Sequence, residues 1–303
     1  MSLAVALGGH VHSFEDLLAL TLRAEALGYD AVYIDGDATL RPSRPDAPVL
    51  DSWTVTTALL TRTERIQIGS IRLVHHWNAA RLAQAAATLA AMAPGRLRFL
   101  ISIGGRPADR RFGLPLPDAL TRADWLDETL VALRALWAGQ TVRCAGRYVT
   151  LDDVRLPAPL QNPLPIEVAA RRPRLLEVVA AHADRWDVNL PPVRSRVEAA
   201  AATLTDACRA RGRDPQSIGR SIWMFHRLGS SATARAAFRR WNPWFADIRD
   251  DELDEAVVCG SPRECRARVQ AVRCELAVDL PVVDLTGLAR AAAEESLEAL
   301  AGS

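Results

Sequence analysis

The sequence predicts an α/β protein of the (β/α)8 barrel class. Short apolar runs alternate with longer amphipathic segments eight times along 303 residues, a length that suits a single barrel domain over 1–303 with insertions. Continuous apolar strands joined by helical crossovers are typical of a parallel sheet that is covered on its outer face. A doubly wound sheet is the alternative, but no predicted strand is followed by the GxGxxG pattern of dinucleotide-binding folds.

The elements follow one another with recognisable starts and stops. Ser13 caps the first helix and Gly28 ends it, while Pro173 opens the helix after the fifth strand. Insertions are expected after strands four and seven, the first containing a hairpin over Thr141–Leu151. The predicted strands are Leu3–Gly9, Ala31–Asp35, Ile66–Leu73, Leu97–Ile103, Ile166–Ala170, Arg185–Leu190, Arg220–His226 and Val278–Leu285.

Composition excludes several classes of function. The 37 basic and 36 acidic residues nearly cancel, which argues against a nucleic-acid partner. All the basic residues are arginine, so lysine-dependent Schiff-base and P-loop chemistry is excluded. The five cysteines have no zinc-site spacing, and no metal site is expected. Without a signal peptide or an 18-residue apolar run, the chain is expected to be cytoplasmic, with no membrane partner.

Polar and glycine residues gather where the predicted strands end, which is where barrel enzymes carry their chemistry. Five of the six histidines are in this set. Each feature alone also has an ordinary structural explanation, as a glycine turn, a solvated charge pair or a buried histidine. The strand-end residues singled out are His10, His12, Asp35, Asp37, His75, His76, Gly104, Gly105, Arg171, Arg172 and His226.

These side chains suggest three kinds of chemistry. His10 and His12 beside Asp35 and Asp37 could supply a general acid and base, with a carboxylate favouring the imidazolium form. A Gly-Gly turn lets backbone N–H groups approach an anion or a planar ring. Two arginines just before a helix N-terminus suit phosphate or carboxylate.

Several segments together resemble the luciferase-like superfamily, which includes bacterial luciferase, FMN-dependent monooxygenases and coenzyme F420-dependent oxidoreductases. The family fold is a TIM barrel, in agreement with the strand count. The resemblance covers most of the chain in order. It is carried by Asp51-Ser52-Trp53, Ile68-Gly69-Ser70, Pro94-Gly95-Arg96, Phe112-Gly113, Gly146-Arg147-Tyr148, Ala183-Asp184-Arg185-Trp186 and Gly260-Ser261-Pro262.

The resemblance implies a cofactor site. In F420-dependent members the third strand has a non-proline cis peptide beneath the ring, and Ser70-Ile71 matches it, with the strand leaving regular pairing near Arg72. The alternative is an undistorted strand whose apolar residues serve the core. The turn Gly104-Gly105-Arg106 matches the segment along the cofactor side chain, and the loop Ala169-Ala170-Arg171-Arg172 matches the phosphate contact. The sequence departs from the family at Asp35-Gly36-Asp37, where histidine or glutamate is common, and at Arg106, where some F420 enzymes have glutamate. It also departs at Arg171-Arg172, since the phosphate loop of the family usually contains glycine.

The resemblance therefore implies a luciferase-like oxidoreductase that uses F420, or alternatively FMN, for hydride transfer to, or monooxygenation of, a small organic substrate. Secondary metabolism is the expected setting, and a homodimer the expected assembly. His75, His76, His226, Trp241 and Trp244 are the predicted substrate residues, although the two tryptophans could equally pack on the barrel or a dimer partner. A hypothesis of another class is a non-catalytic flavin-binding or regulatory barrel that has lost turnover.

Overall fold

Eight parallel strands close on themselves into a barrel. The structure, a computed structural model, describes residues 2–8, 10–35, 50–105, 107–156, 160 and 164–301. Closure comes from parallel pairing between Arg185–Asp187 and the start of Gly219–Leu228. The strands of the described chain are β1 Ala4–Gly8, β2 Ala31–Asp35, β3 Gln67–Leu73, β4 Leu97–Ser102, β5 Val142–Ala145, β6 Thr150–Val154, β7 Ile166–Ala169, β8 Arg185–Asp187, β9 Gly219–Leu228, β10 Val257–Gly260 and β11 Leu280–Asp284. All the strands except the hairpin pair β5–β6 and the short β10 form the barrel wall.

Helices cover the outside of the barrel. They are α1 Phe14–Ala26, α2 Ser52–Arg62, α3 Ala79–Met92, α4 Ala119–Trp137, α5 Pro173–His182, α6 Arg194–Arg209, α7 Ser231–Trp241, α8 Leu253–Ala256, α9 Pro262–Glu275 and α10 Arg290–Leu300. The main apolar core lies between these helices and the outer faces of the strands. The cap predicted at Ser13 is present, and Ser261 begins α9 with a full capping box. No helix among the described residues is long and apolar enough to cross a bilayer.

The barrel interior has a small apolar layer and a buried charged layer. The apolar layer contains Ala4, Ala6, Ala31, Leu100, Ala169 and Val282. In the charged layer, Arg98 Nη2 donates to Glu167 Oε2 at 2.8 Å, and Tyr33 Oη donates to the same oxygen at 2.8 Å. Ser221 Oγ donates to the other oxygen of Glu167 at 2.6 Å. This network joins four strands across the barrel axis.

Two insertions interrupt the repeat at the predicted places. After β4 come a 3-10 turn over Pro107–Phe112, α4 and the antiparallel hairpin β5–β6. After β9 come α7, α8 and β10, which pairs in parallel with the second half of β9. The strand β10 was not predicted.

The prediction of a cis peptide at Ser70-Ile71 is wrong. The described residues contain no cis peptide bond. Ser70 stays in register with Ile34 of β2 and Phe99 of β4, and pairing with β4 continues to the end of β3 at Leu73. The regular ladder satisfies the backbone on both sides, so β3 is the undistorted barrel strand of the alternative interpretation.

Candidate active site

The end of β1 places two histidines at the carboxyl rim of the barrel. The Gly8 carbonyl accepts from the backbone N–H groups of Val11 at 3.0 Å and His12 at 3.3 Å, which forms a tight turn directly after the strand. His10 is 8% and His12 2% exposed. The indole of Trp241, at the end of α7, lies 5.8 Å from the His10 ring between ring centroids.

Three of the predicted site groups cannot be placed beside these histidines. Asp37 and Arg106 lie outside the described residues, and only the backbone of Asp35 is described, at the end of β2. The prediction that a carboxylate pairs with His10 or His12 therefore stays a prediction.

The predicted residues of β3 separate onto two faces. Ile71 packs into the apolar layer inside the barrel. Ser70 and Arg72 point outwards to α2, where Arg72 Nη2 donates to Ser52 Oγ at 2.5 Å and to Ser70 Oγ at 2.8 Å. The guanidinium of Arg72 also lies 4.8 Å from the ring centroid of Trp53. Of these three residues, Ile71 is the one whose side chain faces the barrel interior.

The turn after β4 requires its glycines. Gly104 has φ +58° and Gly105 φ +141°, both in the region that side chains disfavour. A Cβ at Gly104 would lie 2.8 Å from a methyl carbon of Leu73. Arg122 of α4 holds the turn, because its Nε donates to the Ile103 carbonyl at 2.9 Å and Nη2 to the Gly104 carbonyl at 3.4 Å. The turn is thus fixed at the rim, with its backbone accessible where the sequence predicted a cofactor contact.

A cavity of about 300 Å³ opens beside the loop after β7. Ala169 and Ala170 are buried, whereas Arg171 is half-buried and Arg172 exposed. The N-terminus of α5 has no side-chain cap, so its first N–H groups are available to an anion. The lining residues are Arg171, Arg172, Pro173, Leu176, Leu190, Arg196, Ala199, Ala200, Thr203, Trp244 and Asp247. The donor set suits an anionic group.

Two other predicted groups lie apart from this cavity. His75 and His76 form a 3-10 turn after β3, and His75 Nε2 lies 3.0 Å from Asp109 Oδ2. His226 is fully buried between β9 and β10, where its Nδ1–H donates to the Val258 carbonyl at 3.1 Å. Burial, followed by the neighbouring Arg227, lowers the pKa of His226 to about 4, so its imidazole is neutral near pH 7.

A family model for luciferase-like monooxygenases matches residues 2–238 of the chain. The chain belongs to this family. The F420-dependent glucose-6-phosphate dehydrogenase of Beutenbergia cavernae is 34% identical over 161 residues, covering 52% of this chain and 47% of that protein. The chain thus spans about half the length of the curated relatives it matches.

Solved structures agree with the family fold over nearly the whole chain. An F420-dependent secondary alcohol dehydrogenase in complex with an F420–acetone adduct superposes with a TM-score of 0.85 at 19% identity, covering 99% of this chain and 98% of that one. EDTA monooxygenase from Chelativorans sp. BNC1 superposes with a TM-score of 0.82 at 14% identity, covering 99% and 92%. At these identities the likeness shows the fold, a luciferase-like TIM barrel.

Within this luciferase-like barrel, sequence reasoning missed Arg122, Asp109 and Asp187. Arg122 belongs to a helix inside an insertion, and nothing in its sequence context indicates contact with the rim. Asp187 closes β8 and its carboxyl is buried, with Oδ1 accepting from the Asn189 N–H at 2.7 Å. In the sequence, only the position of Asp187 at the end of a strand could have indicated a place in the site.

Proposed function

We propose that this luciferase-like protein is an oxidoreductase that uses coenzyme F420 to transfer a hydride to or from a small organic substrate. Relatives that share about half their length with the chain are F420-dependent dehydrogenases, among them the Beutenbergia cavernae protein. The regular β3 removes one feature expected of F420 members, so the proposal depends on these relatives and on the cationic cavity at the rim.

The cavity is the observation that carries the choice of cofactor. Arg171, Arg172 and Arg196 line it, together with the uncapped start of α5. Arg196 is paired with two carboxylates, since its Nη1 lies 2.6 Å from Asp247 Oδ2 and its Nη2 lies 2.9 Å from Glu252 Oε2. Among the described residues, Arg171 and Arg172 are therefore the cavity cations that form no such ion pair. Burial, followed by the neighbouring Arg172, lowers the pKa of Arg171, and the opposing attraction of Asp247 is too weak to reverse this direction. Such a donor set would hold the anionic tail of the cofactor, and the more anionic tail of F420 suits it better than FMN.

The ring would then lie over the mouth, between the Gly104-Gly105 turn and the histidines of β1. When bound, F420 supplies a ring carbon that accepts or donates a hydride. The chain itself would orient the ring on the backbone of the turn and exclude water with Trp241. His10 and His12 would hold or release the proton that accompanies hydride transfer. Trp244 lines the cavity, and the half-buried His76 is better exposed than His75 for substrate contact.

Titration of the purified protein with F420 and, separately, with FMN tests the choice of cofactor. We expect saturable F420 binding, with FMN at least about tenfold weaker, a difference of roughly 1.4 kcal/mol. Tight FMN binding without F420 affinity would instead favour the monooxygenase chemistry of the family. Binding of neither cofactor would favour the non-catalytic barrel.

The histidines of β1 are tested by turnover as a function of pH in His10→Ala and His12→Ala. Loss of a positioned acid or base costs about 100- to 10,000-fold in rate. We expect one variant to show that loss together with an altered pH profile, while F420 affinity is retained. Unchanged rates in both variants would remove these histidines from the mechanism.

A further inference from the structure

Three metal-ligating side chains meet at the rim, beside the proposed ring site. His75 and His76 come from the 3-10 turn after β3, and Asp109 from the 3-10 turn after β4. Asp109 Oδ2 lies 3.0 Å from His75 Nε2 and 3.6 Å from His76 Nε2. The three ligand atoms all lie within 4.8 Å of one another.

The charge of Asp109 is poorly compensated by the described residues around it. The side chains of Asp109 and His75 are 0% exposed, and the described part of the chain offers no hydrogen-bond partner to the buried Asp109 Oδ1. The guanidinium of Arg122 is nearby, but its hydrogen bonds go to backbone carbonyls. Burial of a carboxylate without such partners is unfavourable unless a cation joins it.

The spacing fits a divalent transition metal. Metal–ligand bonds of about 2.0–2.1 Å in a tetrahedral site place neighbouring ligand atoms roughly 3.3 Å apart. The two separations from the Asp109 oxygen fall on either side of that value. Two imidazoles with one carboxylate favour zinc-type ions over Mg²⁺ or Ca²⁺, which prefer oxygen ligands.

We propose that His75, His76 and Asp109 bind one Zn²⁺-type ion, with a water molecule in the fourth position. The ion would tie the turn after β3 to the turn after β4. Gly104 lies between these turns, since a Cβ there would be 3.1 Å from His75 Cε1. The site would therefore fix the glycine turn at the mouth. This inference does not depend on the choice of cofactor or on the proposed reaction.

The test uses tag-free full-length protein that has been treated with EDTA and then titrated with Co²⁺, which gives visible absorption when bound by histidines. We expect one equivalent to bind and Zn²⁺ to displace it. Asp109→Asn keeps the shape of the side chain and should bind Co²⁺ at least about 100-fold more weakly. His76→Gln changes a half-buried residue and should weaken binding in the same way.

The matched control is Asp127→Asn. This residue also pairs with a histidine, since Asp127 Oδ1 lies 2.5 Å from His182 Nε2, but the structure places no third ligand from the described residues beside that pair. Asp127→Asn should bind Co²⁺ with the same affinity as the wild type. Zn²⁺ should raise the Tm of both proteins. Absence of Co²⁺ binding to the wild type, or equal affinity in His76→Gln, would overturn the proposal. If circular dichroism shows that Asp109→Asn does not fold, the Co²⁺ affinity of His76→Gln tests the proposal instead.

Discussion

Asp187 is a buried carboxyl group at the end of β8, inside the barrel. Burial, followed by the nearby carboxylate of Glu167, raises its pKa to about 8. In the unfolded chain the same group titrates near 3.9. Between those two values the folded protein therefore holds one proton more than the unfolded chain, and stability falls as the pH rises, by about 1.4 kcal/mol per pH unit.

We expect Asp187→Asn to remove this dependence, because the amide is neutral at every pH and Oδ1 can still accept from the Asn189 N–H. The free energy of unfolding of the variant should exceed that of the wild type by on the order of 4 kcal/mol near pH 7, with little difference near pH 4. Urea denaturation at both pH values measures this. A difference between the two proteins that does not change with pH would contradict the assignment.

The sequence predicts which residues lie at the strand ends, but it does not predict the directions of their side chains. His10, Gly104 and Arg171 lie at the rim, as their positions after apolar runs indicated. Arg72 and His226 also lie near strand ends, but their side chains face outwards. Both faces of a barrel strand are buried, so polar and apolar residues do not alternate and the sequence does not show which face is which.

At the scale of elements, β3 and β4 approach each other closely because Gly69 has no side chain. A Cβ at Gly69 would lie 2.7 Å from Arg98 Cβ and 3.1 Å from the Arg98 carbonyl oxygen. Neither atom can move without shifting β4. At Gly219, at the start of β9, the nearest atom to an added Cβ would be Arg185 Cγ, at 3.5 Å.

Gly69→Ala should therefore lower the free energy of unfolding by about 1–3 kcal/mol, the usual cost of overpacking. Gly219→Ala is the matched control and should change stability by less than about 1 kcal/mol. Thermal and chemical denaturation of the two variants compare them directly. Equal stability of the two variants would mean that the strand contact is looser than described.

The eight barrel strands could be predicted because each is an apolar run followed by a helix signal. The strand β10 was not predicted; Val257–Gly260 lies outside the barrel wall and pairs with a single neighbour, β9. The cis peptide came from family resemblance alone, and the observed pairing of Ser70 on both sides explains why β3 stays regular. The contact between Asp109 and the histidines joins residues 34 apart in sequence, which local patterns do not show.

At the scale of the whole molecule, the charged layer below the mouth holds opposite sides of the barrel together. Arg98 and Glu167 are 7% and 1% exposed and form an ion pair at 2.8 Å. Removal of one partner of such a pair leaves a buried charge without compensation, which costs about 3–5 kcal/mol.

We expect Arg98→Met to lose that amount, and the double variant Arg98→Met/Glu167→Met to lose clearly less than the sum of the single variants. A double-mutant cycle from urea denaturation should give a coupling energy of at least about 2 kcal/mol. The exposed pair Arg194–Glu198, at 2.8 Å, serves as the control and should give less than about 0.5 kcal/mol. Comparable coupling in both pairs would mean that the interior layer does not hold the barrel closed.

We propose that F420 binds at the mouth of this barrel with its anionic tail on the arginine cavity. The most direct test is the dissociation constant of F420 for the wild type, Arg171→Gln and Arg172→Gln, with the exposed hairpin variant Arg143→Gln as control. Loss of one charge-assisted hydrogen bond is worth about 1.5–3 kcal/mol, so F420 binding should weaken by roughly 10- to 100-fold in at least one of the two cavity variants. The control should match the wild type. Equal F420 affinity in all four proteins, or no affinity in the wild type, would contradict the claim.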